Sequence, residues 1–305
     1  MPNLTTVILP AGLTGIPKDA FANSVKLATV KFGTADASNN PSARAVIGDD
    51  NAITLPTGLT TIDANAFAST AATAVDLSKI TATGFTTIND YVFKDMASLA
   101  EVKLPASITT INQSAFQNDA KLAKLTQADP TTGGGSAQTR AENEANTATF
   151  GKSLTSIGNN AFNGTGFSIV DLSAATGSTG SGAATPATTL SVGSNAFTNM
   201  ANLTTVKLPK DSNINPANFG NPTDAETQKL TSITYGDGTA TATATITLAD
   251  ANISSTNFSK IKNSTIQINS STNQTINFTG GVFNGNSTMT KLMLNVTQRN
   301  GNTSL

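Results

Sequence analysis

One apolar position recurs through the first half of the chain at a nearly constant interval. Val7, Val30, Ile53, Val75, Val102, Leu125, Ala148 and Val170 follow one another in steps of 23, 23, 22, 27, 23, 23 and 22 residues. Most open a motif of apolar residue, any residue, apolar residue, as in "TVILP", "TVKFG", "AITLP" and "EVKLP". That alternation is the period of a strand with one buried face. A following proline ends the strand, because it cannot donate to a ladder. Val206, Ile233, Ile266 and Leu292 extend the series at wider spacing. A unit this short cannot bury its apolar face alone, so the chain must stack its repeats into a solenoid.

A second series is kept by phenylalanine. The pairs Ile16/Phe21, Ile62/Phe67, Ile88/Phe93, Ile111/Phe116, Ile157/Phe162 and Val192/Phe197 share one spacing, as do Ile214/Phe219, Ile253/Phe258 and Phe278/Phe283. "LTTIDANAF" at 59–67 and "LTSIGNNAF" at 154–162 show what is repeated: Leu, Ile, Ala and Phe with small polar residues between. These are packing residues rather than catalytic ones. About 23 residues leave no room for a crossover helix and its loops. The Leu-x-x-Ile segment therefore reads as a short return strand, and "DANAF" as a tight or 3₁₀ turn in which Asp or Asn satisfies local amides. Phe67, Phe93, Phe116, Phe162 and Phe197 are expected to form one internal column.

The phenylalanine series has two double-length gaps, Phe21 to Phe67 and Phe116 to Phe162, across which the strand series stays in phase. Each gap reads as a degenerate coil, with "SNNPSARAVIGDD" and "DPTTGGGSAQTRAENEAN" replacing the Ile…Ala-Phe arm. Residues 1–305 then form one solenoid of about twelve coils. Residues 127–147 and 173–187 are degenerate or loop insertions, and 230–305 are irregular C-terminal coils. Within "YGDGTATATATITL" a hairpin is expected at Gly236-Asp237-Gly238.

The order Leu-x-x-Ile-(Gly)-x-x-Ala-Phe then Leu-x-x-Val-x-Leu-Pro resembles the BspA-like, or Treponema-type, subclass of leucine-rich repeats, from Leu4 to Leu294. The resemblance implies a right-handed, mostly β superhelix with one parallel concave sheet and short strands, turns or 3₁₀ segments on the convex side. It also implies a cell-surface or secreted protein that adheres to host proteins or neighbouring cells. The Cys often found after Ala-Phe in that family is read as replaced by Ser69, Asn118 and Gly164.

Composition narrows the chemistry. The chain holds no His, no Cys and no Trp, and is 12% charged with a net charge of −1. Disulfides, thiolate nucleophiles and the usual metal ligand and general base are thereby removed. Near-neutral charge without a basic stripe argues against nucleic-acid binding, and no apolar run reaches the ~18 residues of a membrane span. Asp63, Asp76, Asp90 and Asp171 recur with the coil, whereas an active site is asymmetric. "TGGGSAQ" at 132–138 lacks the Lys-Ser/Thr of a phosphate loop. "GDDN" at 48–51 lacks the spacing of a calcium loop. The Asn-x-Ser/Thr triplets at Asn257, Asn263 and Asn286 follow from a chain rich in those residues. "MPNLTTVILP" carries no secretory signal and reads as the middle of a repeat in a longer protein.

No enzyme activity, cofactor or metal is expected. The strand alternation points Thr29, Lys31, Thr54, Asp76, Glu101, Lys103, Lys124, Thr126, Asp171, Thr205 and Lys207 outward from the sheet. Lys31, Asp76, Glu101, Lys103, Lys124, Asp171 and Lys207 are the candidate partner-binding residues, for a host extracellular or serum protein. The alternatives are a structural stalk, or a carbohydrate-binding module that the lack of Trp and scarcity of Tyr argue against. The sequence leaves the oligomeric state open.

Overall fold

The computed structural model describes residues 1–33, 46–128, 145–175, 190–209, 214, 218–220 and 230, together with the backbone of five later strands between 232 and 296. The expected hairpin at Gly236-Asp237-Gly238, the 132–138 segment, Asn257, Asn263, Asn286, Phe258, Phe278 and Phe283 lie outside the described residues.

The chain folds as a parallel β-solenoid, and no α-helix occurs among the described residues. One sheet carries twelve parallel strands in chain order, from Thr6–Pro10 through Glu101–Leu104 to Lys291–Val296. Its register is that of the apolar series. Val7 lies opposite Val30, Val30 opposite Ile53, Ile53 opposite Val75 and Val75 opposite Val102. The ladder continues through Leu125, Ala148, Val170, Val206, Ile233, Ile266 and Leu292. From Val30 to Val206 these side chains are fully or almost fully buried. An additional strand, Val46–Ile47, runs antiparallel to Thr29–Gly33.

The return arms form shorter ladders. Thr87–Ile88, Thr110–Ile111, Ser156–Ile157 and Ser191–Val192 pair in parallel, as do Gly15–Ile16 and Thr61–Ile62. The turn after each arm places two residues in the left-handed region, one two places before the Phe and one two places after it. Asn65 and Ser69 flank Phe67 in this way, with φ of 59° at both. The first of these positions is held by Asp19, Asn65, Ser114, Asn160 and Asn195, and at Phe93 by Tyr91. Asp and Asn tolerate this conformation through local hydrogen bonds, while a bulky side chain pays ~1–2 kcal/mol for it. The twist aims alternate amides at the neighbouring arm: Asn65, Phe67 and Ser69 N–H donate to the carbonyls of Asp90, Val92 and Lys94.

Inside the turns the rings stack. Phe21, Phe67, Phe93, Phe116, Phe162, Phe197 and Phe219 form one column with centroid spacings of 5.1–5.8 Å and interplanar angles of 6–19°. Phe150 and Phe167 close on it edge-first. The five rings expected to stack do so, and the column runs one ring further at each end.

Two expectations are corrected here. The gap segments were expected to replace missing arms, but the arms on either side are in direct contact. Phe21 stacks on Phe67 at 5.3 Å and Phe116 on Phe162 at 5.2 Å, with Phe21 N–H bonded to Ala66 O and Phe116 N–H to Ala161 O. The column skips those coils while the sheet keeps their strands. At the second skip the polar residue Gln127 fills the interior, donating to Ile108 O at 2.7 Å and accepting from Gly151 N–H at 3.1 Å. Gly158 then lies against the arm that precedes the skip, where a Cβ would meet the Asn112 carbonyl carbon and Gln113 nitrogen at 2.6 Å.

The second correction concerns Ser69, Asn118 and Gly164, which are left-handed turn positions. The buried small slot is one residue later, at Ser24, Thr70, Asp119 and Thr165. Thr70 and Thr165 donate to the carbonyls of Phe67 and Phe162. Asp119 cannot do so as a carboxylate. Its Oδ1 accepts from Met96 N–H at 2.7 Å, while its Oδ2 is buried without a partner. Burial drives this carboxyl well above its ordinary value.

Candidate functional site

The outer face of the main sheet holds the charged residues singled out from the sequence, and it pairs them with one another. Glu101 and Lys124 are opposite in register, as are Asp76 and Lys103. Glu101 Oε1 lies 3.3 Å from Lys124 Nζ and 3.9 Å from Lys103 Nζ. All three side chains remain between a third and a half exposed, so this cluster is open to solvent.

Asp76 and Asp171 occupy one repeat position, at the strand end in "AVDLS" and "IVDLS". Each carboxylate accepts from the backbone N–H and the hydroxyl of the serine two residues on, Ser78 and Ser173. This is an Asx turn that closes the strand. Asp171 also meets Lys207 Nζ at 3.4 Å.

Three of the residues expected to face solvent are buried. Asp171 is only 3% exposed, Thr29 7% and Thr54 5%. For the two threonines the cause is visible: the segment around 48–51 crosses the face. Asn51 N–H donates to Thr29 Oγ1, and a Cβ at Gly48 would come within 3.1 Å of Thr54 Cβ. There Lys31 Nζ reaches Asp50 Oδ1 at 2.8 Å. The hydrogen bond and charge of Lys31 hold the exposed Asp50 carboxyl below its ordinary value. The structure thus gathers Glu101, Lys103 and Lys124 beside Asp76, and leaves Lys31/Asp50 and Asp171/Lys207 as separate pairs on other strands.

The opposite face carries a feature not read from the sequence. A groove of about 380 Å³ crosses three arms, bordered by left-handed turn residues and Tyr91. Its signal was available: Tyr91 stands where other arms carry Asp, Asn or Ser. Among the described residues no group of three or more carboxylates is placed to hold a metal ion, and no helix is long and apolar enough to cross a membrane.

A stacked parallel sheet, short return arms and a phenylalanine column define a leucine-rich-repeat solenoid. The chain belongs to the BspA type leucine rich repeat region family, which matches it in six copies over residues 1–84, 49–135, 76–184 and 140–239. Solved structures similar to it include a leucine-rich repeat protein from Bacteroides ovatus, 15% identical with a TM-score of 0.41 over 95% of this chain. The pneumococcal vaccine antigen PcpA is 15% identical with a TM-score of 0.45 over 95% of this chain and 68% of its own. A leucine rich cell surface protein from Faecalibacterium prausnitzii is 18% identical with a TM-score of 0.27, over 95% and 79% of the two chains. The chain spans 61% of the length of the Bacteroides protein. No curated protein matches the sequence.

Proposed function

We propose that this chain is a non-enzymatic repeat ectodomain, secreted or held at the cell surface, that binds a protein over the outer face of its long sheet. The observation that carries the reading is the Glu101, Lys103 and Lys124 cluster, in register with Asp76 on adjacent strands. Side chains fixed by rigid strands and by mutual ion pairs lose little freedom on docking. Solenoids commonly use such extended surfaces for large partners. Residues 1–305 are taken as one solenoid.

The face offers mixed charge and no exposed aromatic anchor at the named positions, so each contact is weak. Affinity is then expected near the micromolar range, about −8 kcal/mol, with avidity from many copies raising it. The test is capture from extracellular-matrix and serum proteins by the immobilised chain, repeated with E101K/K103E/K124E. Loss of capture at unchanged melting temperature supports the reading. Unchanged capture, or loss only on deleting residues 174–186, contradicts it. Turnover abolished by Asp76→Ala or Glu101→Ala would overturn the non-enzymatic reading.

A further inference from the structure

The groove on the arm face is built by the repeat itself. Each arm contributes a residue two places before its Phe, one directly after it and one two places after it. The first of these are Asp19, Asn65 and Tyr91, and the last are Asn23, Ser69 and Asp95. Between them lie Ala22, Ala68 and Lys94. In later arms the middle position holds Gln117, Asn163 and Thr198. Two small residues open a trough across the first arms, and Lys94 closes it at the third.

We propose that this trough binds a neutral glycan chain lying along the solenoid axis. Asp19, Asn23, Asn65 and Ser69 make no side-chain hydrogen bond among the described residues, so their carboxylate, carboxamide and hydroxyl groups are available to sugar hydroxyls. The alanine methyls suit the C–H surface of a pyranose. Tyr91 supplies a ring at the closed end. Its hydroxyl is fixed by Gln113 Nε2 at 2.8 Å, and Lys94 Nζ sits 5.8 Å from its centroid, 3.5 Å from Asp95 Oδ2. Asp95 is held in turn by Asn118 Nδ2 at 2.8 Å. The ring is held at a φ of 59° that other arms give to Asp, Asn or Ser. Bulky side chains in that region concentrate at functional sites. Two carboxylates disfavour an acidic ligand, and the Lys94 ammonium disfavours a cation. The arms repeat every 5.3 to 5.8 Å here, close to the length of one sugar residue in an extended chain, so successive residues would meet successive rungs.

The experiment is titration calorimetry of the intact chain with cellotetraose, chitotetraose and xylotetraose, with tetragalacturonate as the charged control. At least one neutral tetrasaccharide is expected to bind and tetragalacturonate is not. Tyr91→Asn gives the residue type of other arms, and Ala68→Gln fills the floor as Gln117 does. Each is expected to weaken binding at least tenfold without lowering the melting temperature. E101K/K103E/K124E, on the other face, is expected to leave glycan binding intact, which separates this site from the protein-binding one. The proposal is overturned if no neutral probe binds, if tetragalacturonate binds as tightly, or if Tyr91→Asn and Ala68→Gln bind as the parent does.

Discussion

The two long faces of the solenoid keep different counts. The sheet has a strand for every member of the apolar series, whereas the ring column between the arms skips the coils that follow Val30 and Leu125. The reason lies in what each face needs. A strand removed from a parallel ladder leaves backbone donors and acceptors unpaired on both neighbours. An arm can be omitted if the arms beside it can bond directly, and the left-handed turns allow that, since every arm presents the same row of amides and carbonyls.

Curvature follows from the same difference. Between consecutive arms the column advances 5.8 Å at Phe67–Phe93 and 5.4 Å at Phe93–Phe116, while strands are ~4.8 Å apart. The sheet side is shorter there, as a concave sheet requires. Across each skip the column advances 5.3 or 5.2 Å while the sheet advances two strand spacings, about 10 Å. At those two coils the longer advance is on the sheet side.

The largest expected effect comes from the column. Phe116→Ala, beside the second skip, removes a ring stacked on both sides and should cost ~3–5 kcal/mol. Phe21→Ala, at the half-buried end, should cost clearly less by chemical denaturation. Equal costs would show that the column is not continuous. Next come substitutions at the skip itself. Gly158→Ala forces a methyl into the backbone of the adjacent arm and should cost about 1–3 kcal/mol, whereas Gly58→Ala, where a Cβ meets nothing within 4 Å, should be near neutral.

Asp119→Thr should stabilise, because a hydroxyl can accept from Met96 N–H and donate to the Phe116 carbonyl, as Thr70 and Thr165 donate in their arms. The gain is bounded by the ~1–3 kcal/mol cost of a buried unpartnered oxygen. Its sign with pH is definite. Asp119 has a folded-state value raised above the ordinary 3.8, so its favourable contribution is fully present below pH 3.8 and is lost as pH rises through the folded-state value. Melting temperature should fall over that window in the parent and fall less in Asp119→Thr; parallel profiles would refute the assignment. The smallest effect is expected on the sheet face, where exposed ion pairs contribute ~0–1 kcal/mol. E101K/K103E/K124E, confined to the exposed cluster, should scarcely move the melting temperature.

Most of the sheet was legible in the sequence because strand period and repeat period reinforce each other. Eleven successive pairings follow the series from Val7 to Leu292, even where Ala148 replaces a larger residue. The arm turns were legible from Ile and Ala-Phe. The skips were not, since a missing arm and a degenerate one leave the same gap between phenylalanines, and only direct Phe21–Phe67 contact tells them apart. The candidate face was half legible. Alternation gives the side of the sheet a residue lies on, but not that 48–51 crosses over Thr29 and Thr54, nor that Asp171 is buried with Ser173 and Lys207 on it.

The skip can be tested directly because the chain has no native cysteine. Ala22 and Ala68 are forty-six positions apart in sequence, yet hold equivalent places on adjacent arms, with Asn23 N–H bonded to Ala68 O at 2.9 Å. A disulfide needs Cα atoms about 4.4–6.8 Å apart. The folded A22C/A68C variant should therefore oxidise to an intramolecular disulfide in high yield, read by mass spectrometry as the loss of two hydrogens. If an arm lay between them the two positions would be about 10 Å apart, and thiols that stay free in the folded protein would contradict the skipped column.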